Sequence, residues 1–262
     1  MNGTTEVAAA LLHAWRERRN LPHDGLGLMT ETDAYRVQQI VASELGWFSE
    51  SSVTAWKLGG SPGKLVSAAR VPSRAIHLSG WEVPDGYCNR FGIEGELIVQ
   101  LGRDVDGDVD RAAVYEAIEA WQVGIELCDT RFQNGERAHP LLRLADQQLN
   151  RALVLGEIIH PPADWSEQAV EVWVDGRLQI SGIGSHPFTD PLASIPWLAR
   201  HAATQNRPLK AGDLFATGSW TGLLWARPGA NVKVAFPVLG EVLLSTGPLR
   251  NDLKMPPLIS WG

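Results

Sequence analysis

A strand that carries two acids on one face places the tightest constraint on how this chain can fold. Residues 92–102 read GIEGELIVQLG, in which apolar residues surround Glu94 and Glu96. Side chains alternate between the two faces of a strand, so both acids point the same way, with their carboxylates about 6 to 7 Å apart. Carboxylates buried together repel each other and lose hydration. Water, a basic side chain or a metal ion must therefore compensate them, unless the strand is a solvated sheet edge.

The other patterns predict helices first and strands afterwards. Helical spacing covers residues 5–19 and 30–46, with Thr30 as an N-cap ahead of Asp33. Strand patterns follow at 53–58, 92–102, 123–127, 153–156, 213–218, 232–236 and 241–247. A hairpin over 169–182 turns at Asp175-Gly176. Two more helices are predicted at 110–120 and 191–204, and irregular chain is predicted at 70–90. Helices that precede a strand-rich body predict an α+β fold, not a doubly wound sheet.

Length and charge limit the classes of protein that remain. A chain of 262 residues suits one large domain, and we expect a helical region over 1–70 packed on a β-rich core over 71–262. The net charge of −7, without a basic stripe, argues against a nucleic-acid or membrane surface. The N-terminal residues predict an amphipathic helix and not a signal peptide, and no apolar run reaches the roughly 18 residues of a membrane span. We therefore expect a cytoplasmic protein.

A third acid lies in a second apolar segment. Residues 123–132, VGIELCDTRF, place Glu126 inside another predicted strand. Three carboxylates on neighbouring strands would make an oxygen-rich site of the kind that suits Mg²⁺ or Mn²⁺. The seven histidines are scattered without zinc-site spacing. An ion pair between Glu126 and Arg131 at the strand end is the alternative that the local sequence leaves open.

Four segments in a fixed order carry a resemblance to a known group of proteins. GIEGELIV, IELCDTRF, ADQQLNRALVLG and AGDLFATGSWTG resemble the 2-keto-4-pentenoate hydratase / 4-oxalocrotonate decarboxylase group of the fumarylacetoacetate hydrolase superfamily, and AWRERRNLP and WKLG nearer the N-terminus also fit. The resemblance covers about residues 6–248. It implies a mixed, barrel-like β-core, a divalent metal that is usually Mg²⁺ or Mn²⁺, and a homo-oligomer or a complex of hydratase with decarboxylase.

The same resemblance assigns roles to individual residues. Glu94, Glu96 and Glu126 fall on the three metal-ligand positions, and Lys57 falls on an active-site lysine that serves as acid/base or carboxylate anchor. Further positions match residues close to the substrate, namely Asp146, Gln147, Ser219, Thr221 and Arg131. For these five a purely structural role, as a cap, a turn or an ion pair, remains the alternative.

Two departures from the family pattern fall on the substrate side. Ser73 stands where an Asp is common, and Gly92 stands where an Arg is common. The resemblance implies a lyase for a small 2-hydroxydienoic or 2-oxo acid, with hydration as the first expectation and decarboxylation as the second. Two alternatives stay open: hydrolysis of an acylpyruvate, for which His77 is the histidine to examine, and an inactive metal-binding homologue that acts as a complex partner.

Overall fold

The computed structural model describes residues 3–48, 54–64 and 66–248, and within them helices precede a strand-rich body. The helices are α1 Gly3–Glu17, α2 Glu31–Glu44, α3 Arg111–Ala117, α4 Pro140–Ala145 and α5 Ile195–Thr204. The strands are β1 Ala55–Gly59, β2 Ser67–Val71, β3 Ile76–Leu78, β4 Trp81–Glu82, β5 Phe91–Leu101, β6 Ile118–Cys128, β7 Asn150–Ile159, β8 Ala169–Val174, β9 Arg177–Ile183, β10 Leu214–Ala216, β11 Leu224–Ala226, β12 Asn231–Phe236 and β13 Gly240–Ser245. The α+β prediction is confirmed, while residue 53 of the predicted strand 53–58 lies outside the described residues.

The N-terminal helices pack on each other and on α4 through one apolar cluster. Val7 and Leu11 of α1, Val37 and Val41 of α2, and Leu142 of α4 are buried together, as the helical spacing of their apolar residues requires. Helix α2 begins with the predicted cap. The Thr30 hydroxyl accepts a hydrogen bond from the Asp33 amide at 3.1 Å, and the Asp33 carboxylate accepts one from the Thr30 amide at 3.0 Å, which is a reciprocal capping box.

The strands of the described residues form two mixed sheets. The larger is a curled half-barrel with the order β2-β1-β10-β5-β6-β7-β3, and β11 also pairs with β5. The smaller has the order β4-β13-β12-β8-β9. Within the larger sheet β1 runs parallel to β10 and β3 parallel to β7, whereas β5, β6 and β7 are antiparallel neighbours. The mixed, barrel-like prediction is confirmed, and β5 and β6 lie in the middle of the sheet.

The two faces of β5 have different environments. A Cβ atom added at Gly95 would lie 2.8 Å from Val234 Cγ1 of β12, so the smaller sheet approaches β5 too closely for any larger residue here. Residues with odd numbers on β5 therefore face the apolar layer between the sheets, where Ile93 and Leu97 are fully buried. Glu94 and Glu96 point to the opposite face.

Three local predictions are wrong or incomplete. The predicted helix 110–120 ends at Ala117, because residues 118–128 pair along the whole length of β5. The predicted irregular chain at 70–90 contains the short strands β3 and β4, and β11 follows the predicted strand 213–218. These strands are two or three residues long, too short for an alternating pattern, and their partner strands define them. Within the described ranges, no helix combines the length and the apolar character needed to cross a membrane.

Candidate metal centre

The register of β5 against β6 brings the three predicted glutamates to one face of the sheet. Glu94 is directly opposite Glu126, and Glu96 is opposite Gly124. Cross-strand partners share a face, and so do residues two apart on a strand, so all three carboxylates lie on the face away from the smaller sheet. Glu96 and Glu126 are buried, while Glu94 is partly exposed and marks the open side of the cluster.

The tightest group of potential ligand atoms includes a residue that the sequence did not indicate. Ligand atoms of Glu94, Glu126 and Cys128 lie within 4.8 Å of one another, and the Cys128 thiol donates to Glu94 Oε2 at 3.6 Å. Glu96 completes the acidic cluster from the side, where its Oε2 accepts the Gly218 amide at 3.0 Å. Cys128 is two residues beyond Glu126 on β6, so the alternation that grouped the acids also predicts its face.

Two oxygen atoms of the buried carboxylates have no hydrogen-bond donor among the residues that the structure describes. Glu126 Oε1 accepts the Asn150 side-chain amide at 2.9 Å and lies 3.3 Å from Lys57 Nζ. Glu126 Oε2 and Glu96 Oε1, in contrast, are buried without a hydrogen-bond partner among the described residues. Buried polar atoms in proteins are nearly always paired, so two unpaired acceptors on one acidic face fit a cation. The residues present therefore suit the hard divalent ion that the sequence predicts.

Lys57 supplies one buried positive charge to the acidic cluster. Strand β1 brings it from across the sheet, and its ammonium donates to the Gln148 carbonyl at 3.2 Å. Burial lowers its pKa, but the charges of Glu126 and Glu94 outweigh burial and raise the pKa overall. One lysine does not neutralise three carboxylates. Burial and the charge of Glu126 raise the pKa of Glu94 to about 7, and burial with both neighbouring acids also raises that of Glu96.

These raised values predict how the stability of the metal-free protein depends on pH. The Glu94 carboxyl has an ordinary pKa of 4.5, which becomes about 7 in the folded chain. The folded state therefore binds more protons between these values, so the stabilisation present below 4.5 is lost as the pH rises to about 7. After treatment with a chelator, Glu94→Gln should melt above the wild type at about pH 8 and close to it at about pH 4. Equal differences in melting temperature at both pH values would contradict this assignment.

The segment between β10 and β11 holds two of the predicted substrate contacts in different places. The Ser219 hydroxyl oxygen is buried, has no hydrogen-bond partner among the described residues, and is close enough to Glu94 to favour the charged carboxylate. Thr221 instead accepts the Gly95 amide at 2.9 Å and donates to the Gly222 carbonyl at 3.0 Å. Ser219 thus adjoins the acidic cluster, whereas Thr221 connects the segment to the middle of β5, at Gly95.

Arg131 and Asp146 form a buried ion pair with each other. The Arg131 guanidinium contacts the Asp146 carboxylate, and its Nη2 donates to the Asp146 carbonyl at 2.8 Å. Both side chains are at most 1% exposed. The alternative pairing of Arg131 with Glu126 is therefore wrong. Glu126 forms its contacts with Lys57 and Asn150, and Arg131 forms its ion pair with Asp146.

The Arg131–Asp146 pair closes a loop that supports the acidic cluster. Gln147, Gln148 and Leu149 follow Asp146 with φ values of 53°, 52° and 67°, a left-handed run that is costly for residues other than glycine. Through this loop the Gln148 carbonyl reaches Lys57 and the Asn150 amide reaches Glu126. Gln147 is buried and lines a separate cavity described below. Gln148 and Asn150 are thus functional candidates that sequence patterns missed, because only the left-handed loop positions them.

Other side chains fill the space beside Gly92 that a larger residue would need. A Cβ atom there would lie 2.7 Å from Leu223 Cδ1, 2.8 Å from Cys128 Cβ and 3.0 Å from Trp225 Cζ3. An arginine at this position would displace Trp225 of β11 and Leu223, which precedes β11. The nearest arginine in the sequence, Arg90, is held over the Trp225 ring at 3.7 Å.

Replacement of Gly92 by alanine should lower the free energy of unfolding by about 1 to 3 kcal/mol, because the added methyl overpacks this site. Gly27→Ala is the matched control, since a Cβ atom at Gly27 meets no atom within 4 Å. Chemical denaturation of both variants measures the difference. A Gly92→Ala protein as stable as Gly27→Ala would show that the Leu223 and Trp225 side chains can move aside at little energetic cost.

Three further residues lie outside the acidic cluster, namely Ser73, His77 and His186. Ser73 is exposed in a helical turn after Pro72. His77 stacks on Trp81 with ring centroids 3.5 Å apart, and burial lowers its pKa. His186 is buried with its Nε2 3.2 Å from the Thr217 carbonyl, and burial lowers its pKa to about 4, so a neutral imidazole anchors the segment that carries Ser219.

Comparisons of sequence match this chain to known proteins. A family model described as fumarylacetoacetate (FAA) hydrolase C-terminal matches residues 63–252. A 4-oxalocrotonate decarboxylase from a Pseudomonas species is 29% identical over 154 residues, which is 59% of this chain and 60% of that protein. The TodF product hydratase of Pseudomonas putida is 31% identical over 57% of each chain. The match thus spans about three-fifths of the length of these two relatives. The 2-keto-4-pentenoate hydratase 1 of Dechloromonas aromatica is 27% identical over 91% of this chain and 95% of its own.

Comparisons of structure support the same fold. The 4-oxalocrotonate decarboxylase from Pseudomonas putida G7, complexed with magnesium and adipate, superimposes with a TM-score of 0.80 over 92% of this chain and 97% of its own, at 21% identity. A fumarylpyruvate hydrolase from Pseudomonas aeruginosa, in complex with Mn²⁺ and pyruvate, has a TM-score of 0.54 at 16% identity over 76% of this chain and 93% of its own. At these identities the likeness establishes the fold, and the metals belong to those proteins.

Proposed function

This chain belongs to the fumarylacetoacetate hydrolase family, and from that premise we propose that it is a divalent-metal-dependent lyase. We propose hydration of a 2-hydroxypenta-2,4-dienoate-type acid as its reaction. The observation that carries the proposal is the pair of buried, unpaired carboxylate oxygens, Glu96 Oε1 and Glu126 Oε2, on an acidic face beside Lys57. The nearly full-length similarity to a 2-keto-4-pentenoate hydratase supports hydration over the other reactions.

Glu94, Glu96 and Glu126 are the residues that would hold the ion, which we propose to be Mg²⁺ or Mn²⁺. When bound, it would act as a Lewis acid toward the carboxylate and the 2-oxygen of the substrate, where negative charge develops. Two neutral groups keep the cluster in place, because the Gly218 amide holds Glu96 and the Asn150 amide holds Glu126. A fixed arrangement of acids costs little reorganisation when charge moves in the substrate.

Lys57 is the proposed proton-transfer residue. Its ammonium is buried and held by the Gln148 carbonyl and by Glu126. In the metal-free protein the carboxylate charges raise its pKa against the effect of burial. Neutralising those charges would leave burial as the dominant effect and lower the pKa of Lys57, which favours proton transfer to and from its amine. Ser219, Gln147, Thr221, Arg131 and Asp146 remain proposed contributors to the substrate side, with Ser219 nearest to the acids.

The test follows the ultraviolet absorbance of 2-hydroxypenta-2,4-dienoate. The metal-free protein should leave the conjugated band unchanged, Mg²⁺ or Mn²⁺ should make it decay, and Glu96→Gln should stop the decay. Glu119→Gln, an exposed acid on the neighbouring strand β6, should behave as wild type. Product mass decides the chemistry, because hydration adds one water whereas simple ketonisation leaves the mass unchanged.

Decarboxylation is the second candidate, supported by the 29% identity to a 4-oxalocrotonate decarboxylase. Metal-dependent release of CO₂ from 4-oxalocrotonate, without hydration of the dienoate, would replace the first proposal. Pyruvate released from an acylpyruvate would indicate the hydrolase. Metal and substrate-analogue binding without turnover on any of these acids would indicate an inactive homologue that serves a hydratase or decarboxylase as complex partner. The family resemblance also supports a cytoplasmic homo-oligomer, which size-exclusion chromatography with light scattering tests.

A further inference from the structure

A cavity of about 370 Å³ lies between the N-terminal helices and β7. Four arginines line it, namely Arg18 after α1, Arg70 on β2, Arg74 after β2, and Arg151 on β7, together with one acid, the exposed Asp85. Asn150 is the one residue that belongs both to this lining and to the hydrogen bonds of the acidic cluster described above. The cavity is therefore adjacent to the metal centre without containing its carboxylates.

The four guanidinium groups share a lack of close ion pairs within the described part of the chain. Among the described residues none of them takes part in an ion pair. Arg70 donates to the Thr54 hydroxyl at 3.1 Å, and Arg151 donates to the Tyr87 carbonyl at 2.8 Å. These neutral contacts orient the Arg70 and Arg151 guanidinium groups without forming an ion pair. Asp213 and Asp129 act on these two arginines from outside the lining, so the described lining residues themselves set four positive charges against the one negative charge of Asp85. Such a concentration of positive charge attracts anions.

The unpaired polar atoms of the cavity are donors. Trp15 Nε1, Arg70 Nε and the Gln147 amide nitrogen are buried, lack a hydrogen-bond partner among the described residues, and belong to residues of the lining. The acidic cluster shows the opposite pattern, because its unpaired atoms are the carboxylate oxygens of Glu96 and Glu126. The unpaired atoms of the acidic cluster thus suit a cation, whereas those of the neighbouring cavity suit a hydrogen-bond acceptor. Carboxylates are the acceptors that guanidinium groups bind most specifically, through paired N–H donors.

Aromatic side chains form the walls between these charges. Trp15, Trp47 and Tyr87 all line the cavity. Trp15 contacts two cations, with the Arg131 guanidinium 4.3 Å and that of Arg151 5.0 Å from its ring centre. Such walls suit a hydrocarbon chain better than a small hydrated inorganic anion.

We propose that this cavity binds a small linear dicarboxylate, with its carboxylates on the guanidinium groups and its hydrocarbon spacer against the aromatic rings. The site is separate from the metal centre and needs no metal ion. Asn150 connects the two, because it lines the cavity and holds Glu126 through its side-chain amide, so an occupant of the cavity adjoins the support of a proposed metal ligand. The inference does not depend on which acid the metal centre converts.

The probe is glutarate, titrated calorimetrically into chelator-treated protein in a buffer free of other polyvalent anions, with tryptophan fluorescence as the second readout. We expect binding at one site without metal. Arg74→Gln, an exposed arginine of the rim, should weaken it by about tenfold, which is the loss of one charged contact. Arg177→Gln on β9 is the matched control, since it is an exposed arginine outside the lining, and should bind as wild type.

Trp15→Phe should abolish the fluorescence change while the protein still melts cooperatively. Glutarate binding that requires Mg²⁺ or Mn²⁺, or that Glu126→Gln removes while Arg74→Gln does not, would overturn the proposal, because the dicarboxylate would then sit at the metal centre. Acetate or phosphate binding as tightly as glutarate would also overturn it, as would no binding at all. None of these results touches the metal-dependent reaction, which the dienoate assay tests separately.

Discussion

Glu126→Gln should abolish divalent-metal binding and reduce turnover by at least about 10³-fold. Glu126 is the carboxylate to which the rest of the centre is attached, since Lys57, Asn150 and Glu94 all adjoin it. An amide at this position removes a ligand charge and leaves the buried Lys57 without its main partner. The loss of Lewis-acid stabilisation is worth several kcal/mol, and each 1.4 kcal/mol corresponds to about tenfold in rate.

The measurement combines Mn²⁺ titration, followed by the electron paramagnetic resonance of free Mn²⁺, with the dienoate assay. Glu119→Gln on the same strand controls for the mutation itself, and melting curves show whether each variant is folded. Should Glu126→Gln prove unfolded, Glu94→Gln at the partly exposed side of the cluster replaces it. Wild-type Mn²⁺ affinity in a folded Glu126→Gln protein would refute the three-glutamate centre.

Asp146→Ala should lower the free energy of unfolding by about 3 to 5 kcal/mol, the cost of leaving one partner of a buried ion pair without the other. The Arg131 side chain is 1% exposed and would keep its charge in a buried site without a carboxylate partner. The Arg131 amide, which donates to the Asp146 carboxylate at 2.9 Å, would also lose its acceptor. The loop that carries Gln148 and Asn150 would be released, so turnover should fall together with stability.

Denaturant titrations of Asp146→Ala and of Asp108→Ala provide the comparison. Asp108 pairs with Arg200 at 3.1 Å, but its side chain is 90% exposed, and an exposed pair is worth only about 0 to 1 kcal/mol. The double variant Arg131→Met, Asp146→Asn should recover much of the loss, because it removes the buried charge and keeps an acceptor for the backbone amide at 131. Equal destabilisation by Asp146→Ala and Asp108→Ala would mean that burial does not determine the strength of the Arg131–Asp146 pair.

The acidic face was predictable because strand alternation is a local property. Glu94 and Glu96 share a face in any strand, and Glu126 needed only a neighbouring strand in a suitable register. Cys128 lies two residues beyond Glu126 and follows from the same rule, but a thiol is not a ligand that Mg²⁺ or Mn²⁺ leads one to expect. The role of Lys57 came from the family resemblance, since nothing local relates a lysine on β1 to acids on β5 and β6.

The parts that sequence could not give depend on contacts between distant segments. Helix α3 ends at Ala117 because β6 pairs with β5 from residue 118 onward, and such long-range pairing overrides helix propensity. The choice of Asp146 and not Glu126 as partner of Arg131 depends on where the loop 146–150 returns to the sheet. The left-handed residues of that loop include no glycine or asparagine, so no turn signal marked it.

The pairing of Glu94 with Glu126 has a consequence for how the chain reaches its native state. Strands β5 and β6 are eleven residues each, long enough to pair with an offset. An offset of one residue would turn one strand's acids toward the layer around Val234 and away from the acids of the other. Such misaligned molecules could keep most of their backbone hydrogen bonds, yet they could not assemble three carboxylates around one ion. Metal uptake would thus distinguish correctly aligned molecules from compact misfolded ones, and a divalent ion present during refolding would select the native alignment by mass action.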